Sequence, residues 1–137
     1  MYIAFGNRVV DSKEIKELIE NNSDFKILKD MSKGSKREDI VAFNMSLDVS
    51  IINEEIMESC DLKDLNDDEL FDEYLSFTDE LAVDIEEILP SDAIVQFASY
   101  KWDKSENNVK AVVAIANYEL GEGKLKDVMR RLLTQVE

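Results

Sequence analysis

The chain has 137 residues, 45% apolar and 34% charged, with 31 acids against 16 Lys or Arg, one Cys, one Pro and no His. Without His, imidazole-based catalysis and the commonest zinc ligand are excluded, and a single Cys closes no internal disulfide. No apolar run is long enough for a bilayer span and the N-terminus lacks the basic-then-apolar signal pattern, so the expectation is one cytoplasmic domain over residues 1–137 with no membrane contact.

Residues 2–10 are β-branched and aromatic and predict a strand with a bulge or turn at Gly6-Asn7. Asp11 and Glu14 stand at capping-box spacing, and Ile15, Leu18 and Ile19 follow at helical intervals, so a helix is expected up to Asn21-Asn22-Ser23. A short strand over Phe25 to Leu28 leads into the polar stretch 32–37, expected as a hairpin loop. Lys29, Lys33, Lys36 and Arg37 give that loop a basic tip, which reads as solvated. Next comes the cleanest strand signal. Val41, Phe43, Met45, Leu47, Val49 and Ile51 share one face and Asn44, Ser46, Asp48 and Ser50 the other, which predicts a strand with one face on a core and one toward water.

Helical spacing then takes over at Ile52, Ile56, Met57 and Cys60, where Cys60 reads as a small core residue. It resumes from Leu70 to Leu89 and is stopped by Pro90. Ala93–Trp102 and Val109–Tyr118 predict two strands joined by the polar turn 103–108. Past Gly121-Glu122-Gly123, residues Leu125, Val128, Met129, Leu132, Leu133 and Val136 fall on one face of a last helix, whose outer face is basic through Lys124, Lys126, Arg130 and Arg131. The order β-α-β-β-α-α-β-β-α implies an α+β fold: a mainly antiparallel sheet of about five strands with helices on one face.

The net charge of −15 is confined to one part of the chain. Residues 1–50 carry a balance of −1 and residues 101–137 of +1, whereas residues 51–100 set Lys63 against sixteen acids. The acidic helical segment therefore occupies about 53–89. On a helical wheel, Leu70, Phe71, Tyr74, Leu75, Leu81, Ala82, Ile85, Ile88 and Leu89 fall within roughly 0–140°. Asp68, Glu69, Asp72, Glu73, Asp79, Glu80, Asp84, Glu86 and Glu87 fall within roughly 160–320°. Asp67 alone among these acids lands on the apolar arc, and Phe77 and Val83 are the apolar exceptions outside it. Either one long helix or two hinged near Ser76-Phe77-Thr78 fits this pattern.

Ten acids over residues 67–87 give one charge per roughly 3 Å of helix axis, close to the roughly 3.4 Å spacing of phosphates along one DNA strand. Glu54, Glu55, Glu58, Asp61 and Asp64 would widen that strip. The sequence Asp61-Leu62-Lys63-Asp64-Leu65-Asn66 has Lys at the third position and lacks the sixth-position Gly of a calcium loop, so neither metal nor cofactor is expected. No catalytic motif is present.

The expected function is a non-enzymatic inhibitor or binding protein. Its nine acids, Asp68 to Glu87 as named above, would occupy the basic nucleic-acid-binding surface of a protein partner, a nuclease or defence complex. Phage anti-defence proteins, immunity proteins and antitoxins share that physics. Direct nucleic-acid binding is disfavoured by like charge. The alternative is a structural or assembly adaptor, a virion or complex subunit, making contact through apolar and aromatic surface such as Tyr100, Trp102 and Tyr118.

Overall fold

A computed structural model of the chain describes residues 2–57 and 66–136. It opens on a two-stranded hairpin, β1 (Tyr2–Phe5) and β2 (Arg8–Asp11), so the first expected strand is in fact two. Gly6 takes φ +64° at the first central position of a two-residue turn, a conformation open to glycine at little cost and matched to the twist of paired strands. Asp11 then caps α1 (Ser12–Asn22) by accepting the Lys13 amide hydrogen on its carboxylate.

Four strands form the central sheet in the order β3-β4-β6-β5, every neighbour antiparallel. They are β3 (Lys26–Asp30), β4 (Ile40–Asp48), β5 (Ala93–Asp103) and β6 (Asn108–Asn117). The fold is α+β as expected, with the strands divided into sheets of two and four. The segment between β3 and β4 is a 3-10 turn (Ser32–Ser35) rather than an open hairpin loop. Ser32 and Ser35 are buried there, and the Ser35 hydroxyl donates to the Ser32 carbonyl at 2.7 Å.

β4 stops at Asp48, whose carboxylate accepts the Ser50 amide, and α2 (Val49–Met57) begins at once. Val49 and Ile51 therefore belong to a helix and not to the strand. α3 (Asp67–Ile88) and α4 (Glu122–Val136) complete the described elements. Cys60 lies outside the described residues.

Helices pack on both faces of the central sheet, which corrects the expectation of one. On one face Val41, Phe43, Met45 and Leu47 of β4, with Val109, Val113 and Ile115 of β6, pack against Ile15 and Ile19 of α1, Ile52 of α2 and Tyr74 and Ile85 of α3. On the other, Ile40, Ala42, Val112, Ala114 and Ala116 pack against Leu125, Val128, Met129 and Leu132 of α4. The second face of β4, expected in water, is covered in part: Ala42 is fully buried and Ser46 is 4% exposed, whereas Asn44 is half-buried and Asp48 is exposed. Its alanines are the physical reason, since short side chains on two adjacent strands let a helix approach closely enough to exclude water.

Candidate partner-binding surface

α3 is a single helix of 22 residues, about 33 Å long, without a break at Ser76-Phe77-Thr78. Thr78 is fully buried, and its hydroxyl donates to the Tyr74 carbonyl one turn back at 2.7 Å, so the polar side chain is satisfied inside the helix. Asn66 caps the N-terminus by accepting the Glu69 amide hydrogen at 2.8 Å, and the first turn carries Asp67, Asp68 and Glu69, the sign of charge the helix dipole favours there.

The buried stripe runs through Tyr74, Thr78, Ile85 and Leu89. The Tyr74 hydroxyl donates to Asn53 Oδ1 of α2 at 2.7 Å, and burial raises the phenol's pKa, keeping it a donor. Its ring meets Trp102 of β5 edge-on at 4.9 Å. A second tie is the Ser99 hydroxyl of β5, which donates to Asp79 Oδ1 at 2.8 Å. Phe77, expected on the outer side, is half-buried against the core, because the stripe is centred near Tyr74 and Ile85 and reaches its edge of the wheel.

All nine acids predicted as contacts, Asp68, Glu69, Asp72, Glu73, Asp79, Glu80, Asp84, Glu86 and Glu87, are exposed on this one helix. Asp67, left out of that set for its place on the apolar arc, is exposed as well, because the first turn precedes the stretch that covers the core. It pairs with Lys104 Nζ at 3.1 Å, and among the described residues this is the one ion pair on α3. The same ammonium sits 4.9 Å from the centre of the Trp102 ring. Val83 (56% exposed) and Phe71 (38%) add apolar surface along the helix. Glu54 is exposed on α2, whereas Glu58, Asp61 and Asp64 lie outside the described residues and of Glu55 only the backbone is described.

The arrangement works against the helix's own stability. Asp68/Asp72, Glu69/Glu73 and Glu80/Asp84 are like-charge pairs one turn apart, each unfavourable by about 0.2–0.5 kcal/mol, and no basic residue stands in the last turn beside Glu86 and Glu87. Burial decides the balance: one side chain such as Ile85, fully enclosed, is worth about 1.5–3 kcal/mol and offsets the three pairs together. The helix is therefore held by its inner face while its outer face remains almost wholly anionic.

The aromatic trio of the second hairpin does not converge. Trp102 packs on the α3 side of the sheet and Tyr100 on the α4 side, and Tyr118 (62% exposed) stands in a 3-10 turn beyond β6. Among the described residues no group of three or more His, Cys, Asp or Glu is placed to hold a metal ion, and no helix is long and apolar enough to cross a membrane. Asp61–Leu65 of the calcium-loop comparison lie outside the described residues. Comparison with protein-family models, curated proteins and solved structures found no match to this chain.

Proposed function

We propose that this chain is a non-enzymatic binding protein that lays α3 into the basic, nucleic-acid-binding surface of a protein partner, its carboxylates standing where phosphates would. One observation carries the reading: a run of exposed acids on a single helix, fixed along β5 and relieved by one ion pair among the described residues. A solvated face selected for stability would carry Lys or Arg at some of these positions. The spacing along the axis approximates one phosphate strand, and such a face draws a basic groove through a steered, salt-sensitive encounter. Val83, exposed between Glu80, Asp84 and Glu87, adds apolar surface that a protein partner can enclose. An anti-defence inhibitor and a nuclease-toxin immunity protein or antitoxin both fit.

The test has two steps. Partners captured from the native host's lysate at low salt are eluted by rising salt, and a basic nucleic-acid-binding protein is expected at moderate ionic strength. Asp72, Glu73 and Glu80 are then replaced together by Lys. All three are exposed and outside the ties to β5, so the fold should persist while affinity for that partner falls at least about 100-fold. Unchanged affinity in the folded triple variant sinks the proposal. A partner that stays bound at high salt points instead to the adaptor reading.

A further inference from the structure

On the α4 side of the sheet, β3, β5, β6 and the C-terminal end of α4 enclose a groove of about 540 Å³. Its lining carries four ammonium groups, Lys29, Lys33, Lys101 and Lys110, against a single acid, Asp30. That carboxylate is already engaged, accepting from the Ser12 hydroxyl at 2.7 Å and from the Ser32 amide at 2.9 Å. In a chain with nearly twice as many acids as bases, such a concentration of cations runs against the composition.

Two irregularities of the backbone place two of the four, Lys29 and Lys101. The β3 ladder slips by one residue between Ile27 and Lys29, and the β5 ladder by one between Ser99 and Lys101. In an unslipped register Lys29 would face Phe43 and Lys101 would face Val109, both on the side of the main core. The slips set Lys29 opposite Asn44 and Lys101 opposite Lys110, on the groove side. Bulges re-aim side chains in this way beside binding sites, and here one on each edge strand serves the same groove.

The convergence costs stability. Lys101 and Lys110 are direct cross-strand partners of like charge. Asp103 relieves them, at 3.1 Å from Lys110 and 4.0 Å from Lys101, and Glu106 lies 3.5 Å from Lys110. Lys29 and Lys33 have no ion pair among the described residues. Asn44 Oδ1 accepts the Tyr100 hydroxyl at 2.9 Å, which leaves the Asn44 amide hydrogens as donors. The rim is fastened by Gln135, whose Nε2 donates to the Gly34 carbonyl at 2.9 Å and whose side chain occupies the space a Cβ on Gly34 would need.

We propose that this groove binds a small phosphorylated molecule bearing a di- or triphosphate. Its volume lies in the range of small-molecule sites, and lysines act on phosphate as point charges without the fixed fork that a planar carboxylate rewards. A long polyanion would also extend into the field of the acidic segment, which opposes it. A short one meets only the local field, with screening over about 8 Å and the sheet between the groove and α3.

The experiment is a titration of the full chain with inorganic pyrophosphate at constant ionic strength, followed by amide NMR. Saturable shifts are expected at residues 29, 33, 44, 100, 101 and 110, with none of that pattern from sulfate at matched ionic strength. The Lys29→Ala/Lys33→Ala double variant loses no ion pair, so its thermal midpoint should hold while pyrophosphate affinity falls about tenfold or more. Lys126→Ala on the outer face of α4 should change neither. Scattered or unsaturated shifts overturn the proposal, as does undiminished affinity in the double variant. Tighter binding of a single-stranded oligonucleotide than of pyrophosphate overturns it too, and reassigns the groove to nucleic acid. A nucleoside triphosphate that binds at least as well as pyrophosphate supports it. None of these residues lies on α3, so this result is independent of the partner experiment.

Discussion

Gly6 shows how one residue ties distant parts of the chain. A Cβ there would come within 2.8 Å of Asn117 Nδ2, and its φ of +64° is strained for any other residue. Asn117 cannot move aside, since it donates to Asp92 at 3.0 Å and accepts the Glu119 amide hydrogen at 3.1 Å. Asp92 in turn holds Arg8 of the same hairpin through two bonds of 2.6 and 2.9 Å. Gly6→Ala is therefore expected to destabilise the protein by about 1–3 kcal/mol. Gly123, inside α4 with no neighbour for a Cβ, should give the opposite sign: Gly123→Ala stabilises by about 0.4–1 kcal/mol. Urea midpoints of the two variants check both signs. The turn at Gly6-Asn7 was legible in the sequence because its signal is local. Its dependence on Asn117, 111 positions later, was not, because no periodicity or cap connects residues so far apart.

Among the elements, α3 was the most legible, since a 22-residue pattern of alternating apolar and acidic sectors averages over local exceptions. Its continuity was not, because Thr78 is a weak helix former that burial and a bond to Tyr74 hold in place. β4 was read with the right alternation up to Asp48, was carried three residues too far into α2, and was given the wrong surroundings. Asn44 and Ser46 suggested solvent, while the small residues of the same face, Ala42 with Ala114 and Ala116 beside it, marked a docked helix. Of the basic groove the sequence showed only Lys29 and Lys33, read as part of a solvated basic tip; their convergence with Lys101 and Lys110 was not legible, since two one-residue bulges decide which face Lys29 and Lys101 take. The acidic face of α3 also has a stability consequence. Asp72→Lys and Asp84→Lys together turn two repulsive pairs, with Asp68 and Glu80, into attractive ones one turn apart. Each change is worth about 0.4–1 kcal/mol, so the thermal midpoint should rise by a few degrees at low salt, with the gain shrinking in high salt. Loss of partner affinity in this more stable variant would support the function proposed for this helix.

For the molecule as a whole, several carboxylates outside α3 link stability to pH. The Arg8 guanidinium lowers Asp92, Arg37 lowers Asp39, and the Ser105 hydroxyl, the Glu106 amide and Lys110 hold Asp103 far below the usual carboxylate range. A group depressed on folding stabilises fully above its unfolded pKa, near 3.9 for Asp, and the contribution is lost as pH falls toward the folded value. Stability set by these groups should hold from pH 7 to 5 and decline below about pH 4. Acid also relieves self-repulsion in a chain of net charge −15, which acts the other way. Comparison with Asp103→Asn isolates the linkage: the variant should lose less stability on acidification than the parent, and equal losses would refute Asp103's part in it.

The middle of the sheet has a kinetic consequence. β5 and β6 are neighbours in sequence and can zip locally, but β4 must find β6 across a separation of 60 residues at Asp48–Asn108 and 76 at Ile40–Ala116. Closing a loop of that length costs about 3.6 kcal/mol of chain entropy before the first ladder bond forms. The loop is also the segment in which the acids lie, so in the unfolded chain their repulsion swells it and holds its ends apart. Added salt thus shortens the search for the central pairing, and the charge that shapes the finished surface also sets the pace at which the sheet beneath it closes.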